Sequence, residues 1–116
     1  DEMTKFHKIY LFITIALIII LQHVYLPEVN KKLYENKVTD YLTEEQGYNK
    51  EDLTSVDGVF VFKTPNFYVT VVFENEPYVE YIYFAHEEVT QFDYEIVDAA
   101  YEGLSKEDLK NLDSNR

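Results

Sequence analysis

Apolar and polar positions follow three successive periods along the chain. From Ile9 to Leu21 no charged side chain occurs, and beyond Gln22 and His23 the run closes with Val24-Tyr25-Leu26. Ile9, Leu11, Phe12, Ile13, Ile15, Leu17, Ile18, Ile19 and Ile20 cover every side of a helix, whereas a helix on a soluble domain keeps a polar face. The 18 residues 9–26 reach about 27 Å at ~1.5 Å each, close to the roughly 30 Å hydrocarbon layer of a bilayer. Tyr10 and Tyr25 then fall at the two interfaces, where aromatic side chains gather.

Removal of such a segment requires small residues at its end. Here that end reads Gln22-His23-Val24-Tyr25-Leu26-Pro27, so the pattern predicts a signal anchor that stays, with cleavage as the alternative. Lys5-Phe6-His7-Lys8 forms a compact basic flank, and Met3 is the native start expected from it, with Asp1-Glu2 as a leftover. The organisation expected is a short basic cytoplasmic tail (1–8), a transmembrane anchor (9–26) and an extracytoplasmic domain (27–116). Lys31 and Lys32 nearly balance the count of positive charges across the anchor. The short basic N-terminus still favours an inside tail and an outside domain.

The second period is helical and polar. After Pro27, the residues Leu33, Tyr34, Val38, Tyr41 and Leu42 recur at steps of three and four, the mark of an amphipathic juxtamembrane helix. Gly47 supplies a stop, and the stripe is expected to cover a sheet.

NKEDLTSVDG (49–58) is expected to be a polar connector with a short turn, after which the period becomes two. Strands are predicted at 59–63, 67–74, 78–84 and 89–97. They are separated by Thr64-Pro65-Asn66, Glu74-Asn75-Glu76-Pro77 and Ala85-His86-Glu87-Glu88. Short links between alternating β-rich runs describe an antiparallel meander. The fold class predicted is α+β: a transmembrane helix, then an amphipathic helix packed on a four-stranded antiparallel β-meander. The acidic tail 98–116 carries two weak helical turns, and Ser105 with Asp108 resembles a cap.

The order of basic tail, apolar helix, "YLTEEQGYNKEDLTSVDG", "FYVTVVFENEPYVEYIYF" and "VTQFDY" resembles a family of small Gram-positive proteins, domain of unknown function 3139, over roughly residues 9–96. The resemblance implies a bacterial envelope protein of this topology. It implies no activity and no site residues.

Charge narrows the partners. The chain holds 22 Asp+Glu against 10 Lys+Arg, a net of −12. Asp1 and Glu2 cancel Lys5 and Lys8, so the whole excess lies beyond Leu26. Such a domain repels phosphate backbones and anionic lipid headgroups, which argues against nucleic acid. The chain has no cysteine and only three glycines, so thiolate chemistry is excluded and no Gly-rich phosphate loop exists. His7 and His23 flank opposite ends of the apolar run and His86 lies in a turn, an arrangement that suits neither one metal nor a triad. His86-Glu87-Glu88, with Asp57 and Asp93 near, lacks the spacing of a cation loop. No catalytic, cofactor or metal residues are therefore expected, and the chain is not expected to be an enzyme.

Tyrosine is the remaining signal. Half of the strand residues cannot lie beneath the helix. If Val79, Tyr81 and Tyr83 face the core, then Tyr78, Glu80, Ile82 and Phe84 face outward, and the opposite phase exposes Tyr81 and Tyr83 instead. Tyr68, Tyr78, Glu80, Tyr81, Ile82, Tyr83 and Phe84 are thus the candidate partner surface, aromatic and flanked by acids. Tyrosine is also simply a good strand former with a polar tip. The function expected is a membrane-anchored extracytoplasmic binding module, contacting lipid through 9–26 and a basic protein, a peptide or a wall polymer through the sheet. The alternative is a structural subunit held in a membrane assembly through its helix, although Ile18 to Leu21 offer no small-residue face for tight helix pairing.

Overall fold

The structure, a computed structural model, describes residues 2–113. It comprises two compact units that divide between Asn30 and Lys31. The class is α+β, with one long N-terminal apolar helix and a four-stranded antiparallel sheet.

Helical residues run from Glu2 to Glu45, long and apolar enough to cross a membrane. They comprise α1 (Glu2–Ile20), a π-turn at Leu21–Tyr25, α2 (Leu26–Asp40) and a second π-turn at Tyr41–Glu45. No side chain of α1 is buried. Polar groups in the apolar run bond to their own helix: Thr14 Oγ1 donates to the Tyr10 carbonyl at 2.8 Å, and His23 Nδ1 lies 3.1 Å from the Ile19 carbonyl. Such back-bonding leaves less polarity facing an apolar surrounding.

In the second unit the helical segment ends at Gly47, which adopts φ +79°. The widened last turn bonds the Gln46 N–H to Tyr41 O (3.1 Å) and the Tyr48 N–H to Leu42 O (3.0 Å). These bonds satisfy carbonyls that a helix terminus otherwise orphans. A 3₁₀ turn at Lys50–Asp52, capped by Asn49, leads into the sheet.

The sheet is a meander in the order β1 (Leu53–Phe60), β2 (Phe67–Phe73), β3 (Val79–Phe84), β4 (Thr90–Ile96). β1 lies earlier than the sequence indicates: Leu53–Gly58 is strand, and residues 61–63 belong to the connecting loop. Its alternation is masked by an irregularity between Leu53 and Ser55 and by Gly58 at an inward position. Gly58 is required there, because a Cβ would fall 2.7 Å from the Lys31 carbonyl oxygen. Its N–H donates to Glu35 Oε2 at 2.9 Å.

Val38, Leu42, Val69, Val71, Phe73, Val79, Tyr81, Tyr83 and Ala85 form the buried core. Leu33, part of the expected helical stripe, is exposed. After β4, 3₁₀ turns at Ala99–Tyr101 and Lys106–Asp108 carry the chain back across the domain, the second with a Ser105–Asp108 capping box. Leu109 and Leu112 pack against the core.

Candidate partner surface

Strand alternation assigns the two faces of the sheet. Val79, Tyr81 and Tyr83 are fully buried while Glu80, Ile82 and Phe84 are half-buried. β3 therefore turns Glu80, Ile82 and Phe84 to the outer face. Tyr81 and Tyr83 do not belong to a partner surface; each is 0% exposed.

Why those tyrosines go inward is visible in their hydroxyls, which need partners once buried. Tyr81 Oη donates to Glu76 Oε1 and accepts the Asn111 N–H at 3.3 Å. Tyr83 Oη accepts from Gln91 Nε2 at 2.9 Å. Glu76 is itself fully buried, and Asn111 Nδ2 (2.9 Å) and the Lys110 N–H (2.9 Å) complete its carboxylate. Gln91 also donates to the Asn111 carbonyl at 2.9 Å and accepts the Asp113 N–H at 3.0 Å. At the rim, Tyr41 Oη donates to Asp113 Oδ2 at 2.6 Å and Tyr48 Oη to Asn111 Oδ1 at 3.1 Å. Burial raises the pKa of Tyr41, Tyr48, Tyr81 and Tyr83. The hydrogen bond to Asp113 adds to the effect at Tyr41, as the bond to Glu76 does at Tyr81.

The outer face combines apolar and acidic groups. Tyr68 lies opposite Val59, and Thr70 stands between Asp57 on one neighbour and Ile82 on the other. Glu80 faces Glu95 directly across β3 and β4, and Ile82 faces Asp93. Phe84 meets Phe92 with the rings tilted 31° at 4.4 Å, and Phe92 is 55% exposed. Tyr78 is half-buried with its ring flat against Tyr101, at 3.9 Å and 6°. Among the described residues, no ion pair joins Glu80, Asp93 or Glu95 to a cation. Like charges directly opposite on neighbouring strands destabilise a sheet, so Glu80 and Glu95 are a standing cost that a cation would relieve. Phe92, Asp93 and Glu95 were not among the surface residues the sequence indicated. The register shift between Ile82 and Tyr83 moves β4 out of simple alternation and so hides them.

A second acidic feature is a cleft of about 660 Å³ with Asp40, Glu44, Glu45, Glu87, Glu88 and Asp113 on its walls. Lys37 also lines it, but its ammonium is already held by the Ala85 and Glu87 carbonyls, both at 2.7 Å. Among the described residues, no group of three or more His, Asp or Glu is placed to hold a metal ion. His86 Nδ1 bonds to Tyr34 Oη at 3.0 Å, while His23 bonds to its own helix.

A family model described as protein of unknown function (DUF3139) matches residues 4–83. The chain belongs to this family. The match covers the apolar helix, α2 and β1 to β3, and stops short of β4 and the returning tail. No curated protein and no solved structure gives a significant match.

Proposed function

We propose that the chain is a membrane-anchored binding module of a Gram-positive envelope. Residues 9–26 hold it in the cell membrane, its N-terminus inside and its acidic domain outside, and the module binds rather than catalyses. The outer sheet face is the binding surface, and its partner is a basic polypeptide segment with apolar side chains. One observation carries this reading: Glu80 and Glu95 oppose each other on the face that also carries, four residues along β3, Phe84 against the exposed Phe92. A lysine or arginine lying along that face sets its aliphatic stem on Ile82 and its charge between the two carboxylates, while an apolar neighbour of the same segment reaches Phe84 and Phe92. Electrostatic matching of this kind steers encounter and selects partners.

The test is a photo-crosslinking residue at Phe92 of the full-length chain in intact cells, beside one at Leu17. A protein captured from Phe92, and lost with Glu80→Lys plus Glu95→Lys, supports the reading. Capture from Leu17 alone supports a structural subunit assembled within the membrane. No protein captured from either sinks both and directs attention to wall polymers.

A further inference from the structure

The most exposed aromatic side chain of the folded domain lies on the loop between β1 and β2, away from the outer sheet face. Phe62 is 92% exposed, against 59% for Leu33, 55% for Phe92 and 50% for Val97. Lys63 beside it is exposed. The loop is closed by the Val61 N–H donating to the Asn66 carbonyl at 2.7 Å, so Phe62 and Lys63 sit at a fixed tip rather than on a slack connection.

A run of rings ties that tip to the start of the domain. Tyr34 stacks on Phe67 (5.2 Å, 21°), Phe67 meets Phe60 (5.1 Å), and Phe60 meets Phe62 edge-on (5.2 Å, 74°). Tyr34 is three residues beyond Lys31, and the Lys31 backbone touches β1 at Gly58. The tip therefore marks the end of the domain at which the chain enters from its apolar segment. Only four residues lie between Leu26 and Lys31, and fully extended those five steps span at most about 18 Å.

We propose that Phe62 and Lys63 seat this tip in the headgroup layer of the same bilayer that residues 9–26 span. The inference rests on the anchored reading above and adds a second membrane contact to it. An aromatic ring in the interface with a lysine reaching for phosphate is a favourable pairing there, and Lys31 and Lys32 lie at the same end of the domain. The carboxylates of Glu87 and Glu88 oppose this at an anionic surface. They belong to a loop held by Tyr34 through His86 and by Lys37 through the Glu87 carbonyl, three to six residues or about 5–9 Å further along a helix than Lys31.

The chain contains no tryptophan, so single substitutions give clean reporters. The full-length chain, carrying Phe62→Trp, Leu17→Trp or Glu74→Trp, is placed in phosphatidylcholine vesicles containing phosphatidylglycerol. Quenching is read with nitroxide at the headgroup and with bromine deep in the acyl chains. Glu74 follows β2 at the end opposite Phe67 and reports a site away from the tip. The proposal expects Leu17→Trp to lose emission to acyl-chain bromine. Phe62→Trp should lose it to headgroup nitroxide with a blue-shifted maximum, and Glu74→Trp should lose it to neither. Quenched Leu17→Trp with Phe62→Trp no different from Glu74→Trp overturns the tip contact while the anchor stands. Unquenched Leu17→Trp overturns the anchor and the tip contact with it.

Discussion

Tyr81 on β3 and Glu76 in the preceding turn share a hydrogen bond inside the domain, and both are fully buried. Around this pair the returning tail is fastened, because Lys110 donates its backbone N–H to Glu76 and Asn111 donates its own to Tyr81. Removing the Tyr81 hydroxyl takes the acceptor from the buried Asn111 N–H and one of three donors from Glu76, which costs more than the bond itself is worth. Tyr81→Phe is expected to lower stability by about 2 kcal/mol. The urea midpoint of the full-length chain in detergent should fall with little change in slope. Glu76→Ala should cost more and release the tail, seen as faster amide exchange from Lys110 to Asp113.

The four tyrosines with raised pKa make the domain sensitive to alkali. An unfolded tyrosine ionises near pH 10, whereas burial holds Tyr41, Tyr48, Tyr81 and Tyr83 protonated to higher pH. Above about pH 10 the unfolded chain thus binds fewer protons than the folded one, so stability must fall as pH rises. The stabilisation is complete below that pH and is lost progressively above it. In an alkaline titration, absorbance at 295 nm should rise first from the exposed tyrosines. A second rise should coincide with loss of the circular dichroism of the sheet.

Much of this fold was legible because its periods are strong. All-round apolarity marked α1, and alternation marked β2 to β4 to within a residue or two. β1 was hidden because Thr54, Ser55 and Asp57 are the polar residues of an edge strand, and the irregularity after Leu53 breaks its alternation. The phase of β3 was ambiguous because Tyr81 and Tyr83 alternate with Ile82 and Phe84, bulky on both faces. Tyr81 and Tyr83 find Glu76 and Gln91 close in sequence, but the network that makes their burial tolerable closes only through Asn111, 30 residues beyond Tyr81 and 35 beyond Glu76. No local pattern announces a bond over such a separation.

Gly58 is a sharper test of how α2 meets β1. A methyl group there falls 2.7 Å from a backbone carbonyl and 3.0 Å from the Lys31 Cα, neither of which can rotate away. Gly58→Ala is expected to cost about 2 kcal/mol, the range of overpacked sites. Gly47→Ala should cost about 1 kcal/mol for its positive φ. Gly103→Ala, with nothing within 4 Å, should stay within about 0.5 kcal/mol of the parent. Equal losses at Gly58 and Gly103 would contradict the close approach.

Glu95→Lys separates what the outer face does for stability from what it does for binding. Across the strands it replaces a repulsion with Glu80 by an attraction, a change of about 0.5–1 kcal/mol. For a domain of this size that raises the melting temperature by roughly 2–8 °C, and the gain should shrink as salt is added. If the acid pair serves a basic partner, the same substitution should weaken capture at Phe92 while the domain melts higher. A lower melting temperature would deny that the two carboxylates repel. A higher one with capture unchanged would clear the pair of any part in binding. Stability and binding moving in opposite directions is the outcome expected of a surface kept for its partner at the fold's expense.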